Sequence, residues 1–322
     1  MIEQKNRRGK PVLLLVLLFA AALIFLMMAV VSVNKIREGE PGFLANLWAP
    51  QGSSTKADPI LDANSLRINV PPYVKTILFE GTDSYDGSYR TDVLLLAAFN
   101  TRTNKINLFS FPRDLWVQIP GYGEQRINVA HEVGGDQMVS DMLAFNFGFR
   151  PDHAIRVDFD GFQQIIQALG NLTVDVKQPF AEAYDDEGIE WLRLEPGLHE
   201  LGDGQALWYV RGRKNSSDFD RNRRAQEVLK AMLVQFFRPR VVQQRWPRIF
   251  KTVFEVVKTD MKPSDFILYA FPLIKYTDPD IITSYQLTPN EARGFVTDGG
   301  AQVLAPDLPA IHQILNQVFW VE

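Results

Sequence analysis

Residues Asp92–Asn100 read DVLLLAAFN, and this run limits the possible folds more than any other. Its apolar residues are continuous rather than alternating, so an extended backbone would bury both of its faces. A strand of that kind needs helices above and below its sheet, and the surrounding chain supplies both kinds of element. Thr76–Phe79 reads as a short buried strand that ends in Glu80-Gly81-Thr82-Asp83-Ser84. Thr101–Lys105 is a turn, Ile106–Ser110 a returning strand and Leu115–Ile119 another, before a turn at Pro120–Gly123. Asp136–Phe147 has helical spacing, with Gly148 to end it. His153–Phe159 and Leu172–Val176 read as strands, separated by a helical stripe of Phe162, Ile165, Ile166 and Leu169 that Gly170 stops. Further on, Trp246–Val257, Ser264–Ile274 and Leu308–Phe319 read as helices, and Ile281–Leu287 and Gln302–Leu304 as strands. Strands alternating with helices in this way predict an α/β domain. No internal repeat and no linker follow Pro72, so a single domain is expected over 73–322.

The chain before that domain is of a different kind. Residues 1–10 carry Lys5, Arg7, Arg8 and Lys10 against a single acid, Glu3. Val12–Val31 is an unbroken run of twenty apolar residues. At ~1.5 Å of rise per residue it matches the ~30 Å of a bilayer's hydrocarbon. A cleaved signal peptide is the rival reading, with Ala20–Ala22 as its cleavage site, but its apolar core is usually only about 7–15 residues. The expectation is an uncleaved transmembrane helix over 11–33, with residues 1–10 cytoplasmic and the rest outside the cell membrane. Residues 34–72 hold Pro41, Pro50, Pro59, Pro71 and Pro72 and no sustained period, which reads as a tether.

Composition removes several functions. There is no cysteine, so disulfides and thiolate metal sites are excluded. His131, His153, His199 and His312 have no metal-ligand spacing. A net charge of −4 and a pI near 5.7 argue against nucleic acid as a partner. P-loop, nucleophile-elbow, zincin and dinucleotide motifs are all absent.

Against that acidic balance, Trp208–Gln226 holds six cations: Arg211, Arg213, Lys214, Arg221, Arg223 and Arg224. Only Asp218 and Asp220 oppose them. An extended backbone would aim Arg211 and Arg213 to one side. Asp220 is placed to cap a helix marked by Ala225, Val228, Leu229, Met232, Leu233 and Phe236 and ended near Phe237 by Pro239. Guanidinium forks beside a helix N-terminus suit a dense oxyanion such as a diphosphate. A solvated helix end, or a patch resting on anionic lipid, accounts for the same residues. Asp83 and Asp92 fall at strand ends, and as hard oxygen ligands they suit Mg²⁺, although turns and caps use aspartate too. Arg90 and Arg113 also sit at strand ends, and Pro112 stiffens the turn that aims Arg113.

These motifs occur in one order: GTDS (81–84), RTD (90–92), FPRD (111–114), PGYGEQRINVAHEVGG (120–135), VDFDGFQQIIQALGNLTVDV (157–176), LGDGQALWYVRGRK (201–214) and SDFDRNRRAQ (217–226). In that order they resemble the LytR-CpsA-Psr (LCP) cell-wall ligases, most closely over 73–240. The resemblance implies a three-layer α-β-α domain on a central mixed sheet. It implies transfer of a glycopolymer phosphate from a polyprenyl-diphosphate carrier to peptidoglycan, at the membrane. Carried over by motif, Asp83 and Asp92 would hold Mg²⁺. Arg90, Arg113, Arg211, Arg213 and Arg221 would hold the diphosphate, with Asp92, Arg113, Arg211 and Arg213 at the reacting centre. The family's lipid lies in an apolar pocket. Two positions depart from the family: Asp220 stands where a glycine is usual, and Ala225 where a glutamine contacts the head group.

The mechanism this implies is in-line attack of a sugar hydroxyl on phosphorus, driven by positioning and charge neutralisation. Asp92, Asp114 and Asp218 are the candidate bases. Two other readings use the same residues: hydrolysis of the polyprenyl diphosphate by water, and glycolipid binding without catalysis.

Overall fold

The chain runs β1 (Val74–Asp83), β2 (Arg90–Asn100), β3 (Lys105–Phe111), β4 (Trp116–Ile119) and β5 (Gly123–Arg126) into α1 (Ala130–Phe147). β6 (His153–Asp158), α2 (Phe159–Leu169), β7 (Leu172–Val176), β8 (Phe180–Ala183), β9 (Glu190–Leu194) and β10 (Gly197–Leu201) follow. Then come α3 (Asp203–Arg211), α4 (Asp218–Phe237), α5 (Pro239–Val256) and β11 (Lys258–Thr259). β12 (Ile282–Gln286), β13 (Ala292–Val296), β14 (Gln302–Pro306) and α6 (Leu308–Phe319) complete the order. This computed structural model describes residues 67–83, 90–183, 190–213, 216–262, 265 and 281–319, all within the unit Pro59–Glu322. The apolar run at 12–31, its cationic flank, the tether up to residue 66 and all but one residue of the helix expected at 264–274 lie outside the described residues. No helix among the described residues is long and apolar enough to cross a membrane.

The central sheet has the order β11-β6-β1-β2-β3-β12. β2 is antiparallel to both β1 and β3, whereas β6 runs parallel to β1 and β12 parallel to β3, so the sheet is mixed. β2 explains its own composition. Leu94, Leu96 and Ala98 join Leu78, Phe109 and Phe111 on one face, against Met142 and Phe147 of α1 and Ile311 and Leu315 of α6. Leu95, Ala97 and Phe99 join Ile77, Ile106 and Leu108 on the other, against Leu229 and Leu233 of α4. The period of two sorts one continuous apolar run onto two covered faces, giving helix, sheet and helix layers. A second apolar cluster joins α2, α3, α4 and α5 to the β7–β10 pair through Ile166, Leu172, Tyr209, Val228 and Ile249.

Four local differences from the sequence reading have physical causes. α1 begins a turn earlier than Asp136, before a break at Gly134 and at Gly135, whose φ is 62°. The strand expected to reach Phe159 stops at Asp158, because the Asp158 carboxylate accepts a hydrogen bond from the Gly161 amide at 2.8 Å and caps α2. Arg211 closes α3 and is not part of an extended segment. Ser217, not Asp220, caps α4: the Asp220 amide donates to its hydroxyl, and the Asp220 side chain accepts from the Ser217 amide at 2.9 Å.

Candidate active site

A bulge between Gly81 and Thr82 shifts the register of β1 on β2. Thr82 pairs with Thr91 and Asp83 with Arg90, so Asp83 and Asp92 share one end of adjacent strands. The crossing is close: a Cβ on Gly81 would stand 3.1 Å from Val93 Cβ. Arg113, in the turn after β3, donates to Asp92 Oδ1 at 2.6 Å, and its Nε lies 3.6 Å from Asp114. Arg126 reaches the other oxygen of Asp114 at 3.2 Å.

The Arg211-Gly212-Arg213 corner is built from below. A Cβ on Gly212 would fall 2.5 Å from Phe180 Cζ and 2.6 Å from Glu182 Oε2, so only glycine passes there. Arg224, 2% exposed, donates to Tyr209 O at 2.6 Å, Gly212 O at 2.7 Å and Ser216 Oγ at 2.9 Å. Burial holds its guanidinium below the ordinary arginine range. Arg224 is thus a strut for the corner. Arg211 stacks 4.0 Å above the Phe159 ring and lies 3.6 Å from Asp83.

Arg221, in the first turns of α4, pairs with Asp218. Burial, then the charges of Arg113 and Arg213, push it down to about 10, while Asp92 and Asp114 work in the opposite direction. The charges that act on it place Asp92, Arg113, Asp114, Arg213 and Arg221 in one field. Arg90 stands apart, its side chain 64% exposed and 3.5 Å from Glu132. Arg223 turns away, to Glu227 at 3.0 Å and Asp220 at 3.5 Å.

The two family departures have distinct places. Burial works to raise the Asp220 carboxyl, but hydrogen bonds from Ser217 and the Arg223 charge overcome it and leave it lowered. Its part is in the helix cap. Ala225 is buried in the wall of an apolar cavity. Gln226 is spent on structure, donating to Ser110 Oγ at 2.8 Å and Tyr285 O at 2.7 Å.

That cavity lies between the sheet (Phe79, Val93, Leu95) and helices α2, α4 and α5. Glu80, Gly81, Asp158 and Phe159 mark the end where β1 and β6 finish, beneath Arg211. Leu229 and Leu233 of α4 also cover the sheet, and Val228, Met232 and Phe236 line the cavity as part of the apolar cluster shared with α2 and α5. Sequence reasoning counted Arg224 only among the cations and missed its part as a strut, as it missed Gly212 and Arg126; these act through partners distant along the chain, the Tyr209, Gly212 and Gln302 carbonyls and the Phe180 and Glu182 side chains. It also missed a grouping of Glu80, His131 and Asp136, whose ligand atoms lie within 4.8 Å of one another. Arg156 bonds to Asp136 and lies 2.8 Å from His131 Nε2, so a cation of the protein already fills that space. Asp83 and Asp92, two partly exposed carboxylates at one end of adjacent central strands, are hard oxygen donors of the kind that Mg²⁺ takes one or two of, with Asp83 3.6 Å from Arg211 and Asp92 2.6 Å from Arg113.

Cation forks and paired acids thus lie beside an apolar cavity on a mixed α/β sheet. The chain belongs to the LytR_cpsA_psr family, whose model matches residues 53–319. It is 32% identical over 192 residues to the polyisoprenyl-teichoic acid–peptidoglycan teichoic acid transferase TagU of Halalkalibacterium halodurans, covering 58% of this chain and 61% of that protein. It is 31% identical over 161 residues to the regulatory protein MsrR of Staphylococcus aureus, covering 49% of this chain and 47% of that one. The matches thus span about half to three fifths of those relatives' length. In fold it is similar to TagV of B. subtilis, with a TM-score of 0.65 at 24% identity over 77% of this chain and 98% of that one. TagT bound to LI-WTA gives a TM-score of 0.61 at 24% identity, over 79% and 94%.

Two predictions concern the arginines. Arg224→Gln leaves the buried Tyr209 and Gly212 carbonyls without donors, at about 1–3 kcal/mol each. Calorimetric titration with inorganic pyrophosphate is expected to show at least a tenfold weaker complex for Arg224→Gln, and a change within twofold for Arg223→Gln. Equal losses at both positions would mean a diffuse basic patch. The second follows from the lowered Arg221. Its folded value of about 10 lies below the ordinary arginine range, so folding disfavours the charged form at every pH below about 10, and that cost lifts as pH rises above about 10. At neutral pH, Arg221→Gln is expected to leave the melting temperature of the ligand-free protein unchanged or higher while removing most of the stabilisation by pyrophosphate. A clear drop without ligand would make Arg221 a structural cation.

Proposed function

We propose that this protein is a membrane-anchored phosphotransferase that moves a glycopolymer phosphate from a polyprenyl-diphosphate carrier to peptidoglycan. The observation that carries this reading is the junction of Arg113, Arg211, Arg213 and Arg221 with the apolar cavity of α2, α4 and α5. A diphosphate joined to a long hydrocarbon has the matching halves. The relatives named as teichoic acid–peptidoglycan transferases support the reaction class.

The chain's residues divide the work. The cavity takes the first isoprene units, and the Arg211 stack on Phe159 marks where hydrocarbon gives way to phosphate. Arg113, Arg213 and Arg221 take the phosphate oxygens, exchanging mutual repulsion for contacts with an anion. Asp83 and Asp92 would hold Mg²⁺, which supplies further neutralisation of phosphate charge when bound. The acceptor oxygen forms a bond to the sugar-side phosphorus as the bridging P–O bond breaks. The electron pair leaves with lipid phosphate, and the hydroxyl proton passes to a carboxylate beside the arginines.

The test uses glycopolymer-labelled polyprenyl diphosphate, purified full-length protein and peptidoglycan. Label is expected on peptidoglycan, with Asp83→Asn and Asp92→Asn reducing turnover roughly 10²–10³-fold, as lost transition-state stabilisation does. Label released to water with or without peptidoglycan would establish a hydrolase, and binding without turnover a carrier. Topology is checked separately. The apolar run Val12–Val31 behind its cationic flank is expected to hold the domain outside, where protease added to spheroplasts removes it. Complete protection of the domain would overturn the anchor.

A further inference from the structure

The β13–β14 hairpin and the first turn of α4 line a groove of about 390 Å³ that shares no residue with the apolar cavity. That volume falls within the roughly 300–1,000 Å³ of small-ligand sites. Asp114 and Asp218 line it, and each is an ion-pair partner of a clamp arginine: Asp114 of Arg113, Asp218 of Arg221. Phe295 lines it too, 37% exposed, with its ring held edge-on by Trp116 at 6.4 Å between centroids.

The hairpin is fastened to the clamp. Leu304 donates its amide to Asp114 O at 2.9 Å, and Arg126 donates to Gln302 O at 3.0 Å while holding the Asp114 carboxylate at 3.2 Å. A wall tied to the arginines by backbone bonds is preorganised relative to them.

We propose that this groove is the acceptor subsite and that it receives a run of uncharged sugar rings of the peptidoglycan glycan strand. The proposal rests on the transferase reading and adds where the second substrate sits. Three features select this occupant. The groove presents carboxylates, which repel the anionic glycopolymer and accept hydrogen bonds from sugar hydroxyls. Phe295 offers a fixed apolar face on which a sugar ring can lie. The groove shares no lining residue with the apolar cavity, and it borders Arg113 and Arg221 through Asp114 and Asp218, so an acceptor there leaves the cavity free for the lipid. The arrangement also narrows the base: a hydroxyl arriving by the groove meets Asp114 and Asp218, whereas Asp92 does not line it.

Two variants leave the clamp untouched. Phe295→Ala removes the platform. Gly294→Trp adds bulk to the groove wall, at a position where a Cβ meets no atom within 4 Å and φ is not positive. Full-length protein is assayed with labelled polyprenyl-diphosphate glycopolymer and a soluble uncrosslinked glycan strand as acceptor. Phe295→Ala is expected to raise KM for the glycan about five- to tenfold, with affinity for the labelled glycolipid and kcat at saturating glycan within twofold of the starting protein. Gly294→Trp is expected to abolish transfer while leaving glycolipid affinity unchanged. An unchanged glycan KM in both variants, in a protein that does transfer, overturns the groove and leaves the transferase standing. Equal losses of glycolipid affinity would assign the groove to the donor polymer and overturn the proposal as well. Absence of transfer by the unaltered protein is the separate failure of the transferase reading.

Discussion

The site depends on keeping like charges together where water is scarce. Burial, and then the charges of Arg113 and Arg213, lower the tendency of Arg221 to hold a proton. Left alone, such side chains would splay into solvent. The fold prevents this with partial neutralisation and rigid attachment. Asp92 and Asp114 both pair with Arg113 and Asp218 pairs with Arg221, so the repulsion is contained and not abolished. The remainder is what the proposed diphosphate would complete.

Rigid attachment comes from residues that never face the ligand. Gly212 lets the chain turn against Phe180, and Arg224 spends its guanidinium on carbonyls and a hydroxyl of the corner and the loop after it. Two arginines close in sequence thus do different work: Arg221 is a charge held for an anion, and Arg224 is a strut. The helical turn explains the split, since positions three apart share a side of α4 at different depths. Farther along, the same side brings Ala225 and Val228 into the apolar cavity. A single helix therefore carries the change from phosphate chemistry to hydrocarbon chemistry in about two turns.

Legibility in the sequence followed the range of the forces involved. The two-faced burial of β2, the stripe of α2 and the full extent of α6 were readable because periodicity is local and packing enforces it. The short strands β5, β8, β9, β10 and β13 were not, because they are hairpin or edge strands with much exposed surface; Leu198 of β10, 72% exposed, carries no burial signal at all. The cap of α4 was misplaced because Ser217 and Asp220 both fit, and the reciprocal box uses both. The extended Arg211–Arg213 segment was wrong for a related reason: the residues before it are apolar enough for either element, and the Gln205 side chain, accepting from the Gly202 amide at 3.2 Å, helps start a helix there. The acids and arginines were legible as types in a motif order. Their division into clamp, strut and rim was not, since it is decided by partners such as Tyr209, Phe180 and Glu132, which are distant in sequence or mean nothing on their own.

Ala225 shows how such a division shifts the character of a site. It follows Arg221 by four residues and stands where the family resemblance places a glutamine over the head group. In this chain its neighbours on the wall are Val228 and Leu229. An amide set among them would need a partner or carry a desolvation cost of about 1–3 kcal/mol. Alanine avoids that cost, and it draws the apolar wall one turn closer to Arg221. Head-group recognition then falls more heavily on the charged pairs, whose geometry is fixed by Gly212, Arg224 and the hairpin tied to Asp114. The loss of one adaptable polar contact is thereby set against a cation array that is held in place before any ligand arrives.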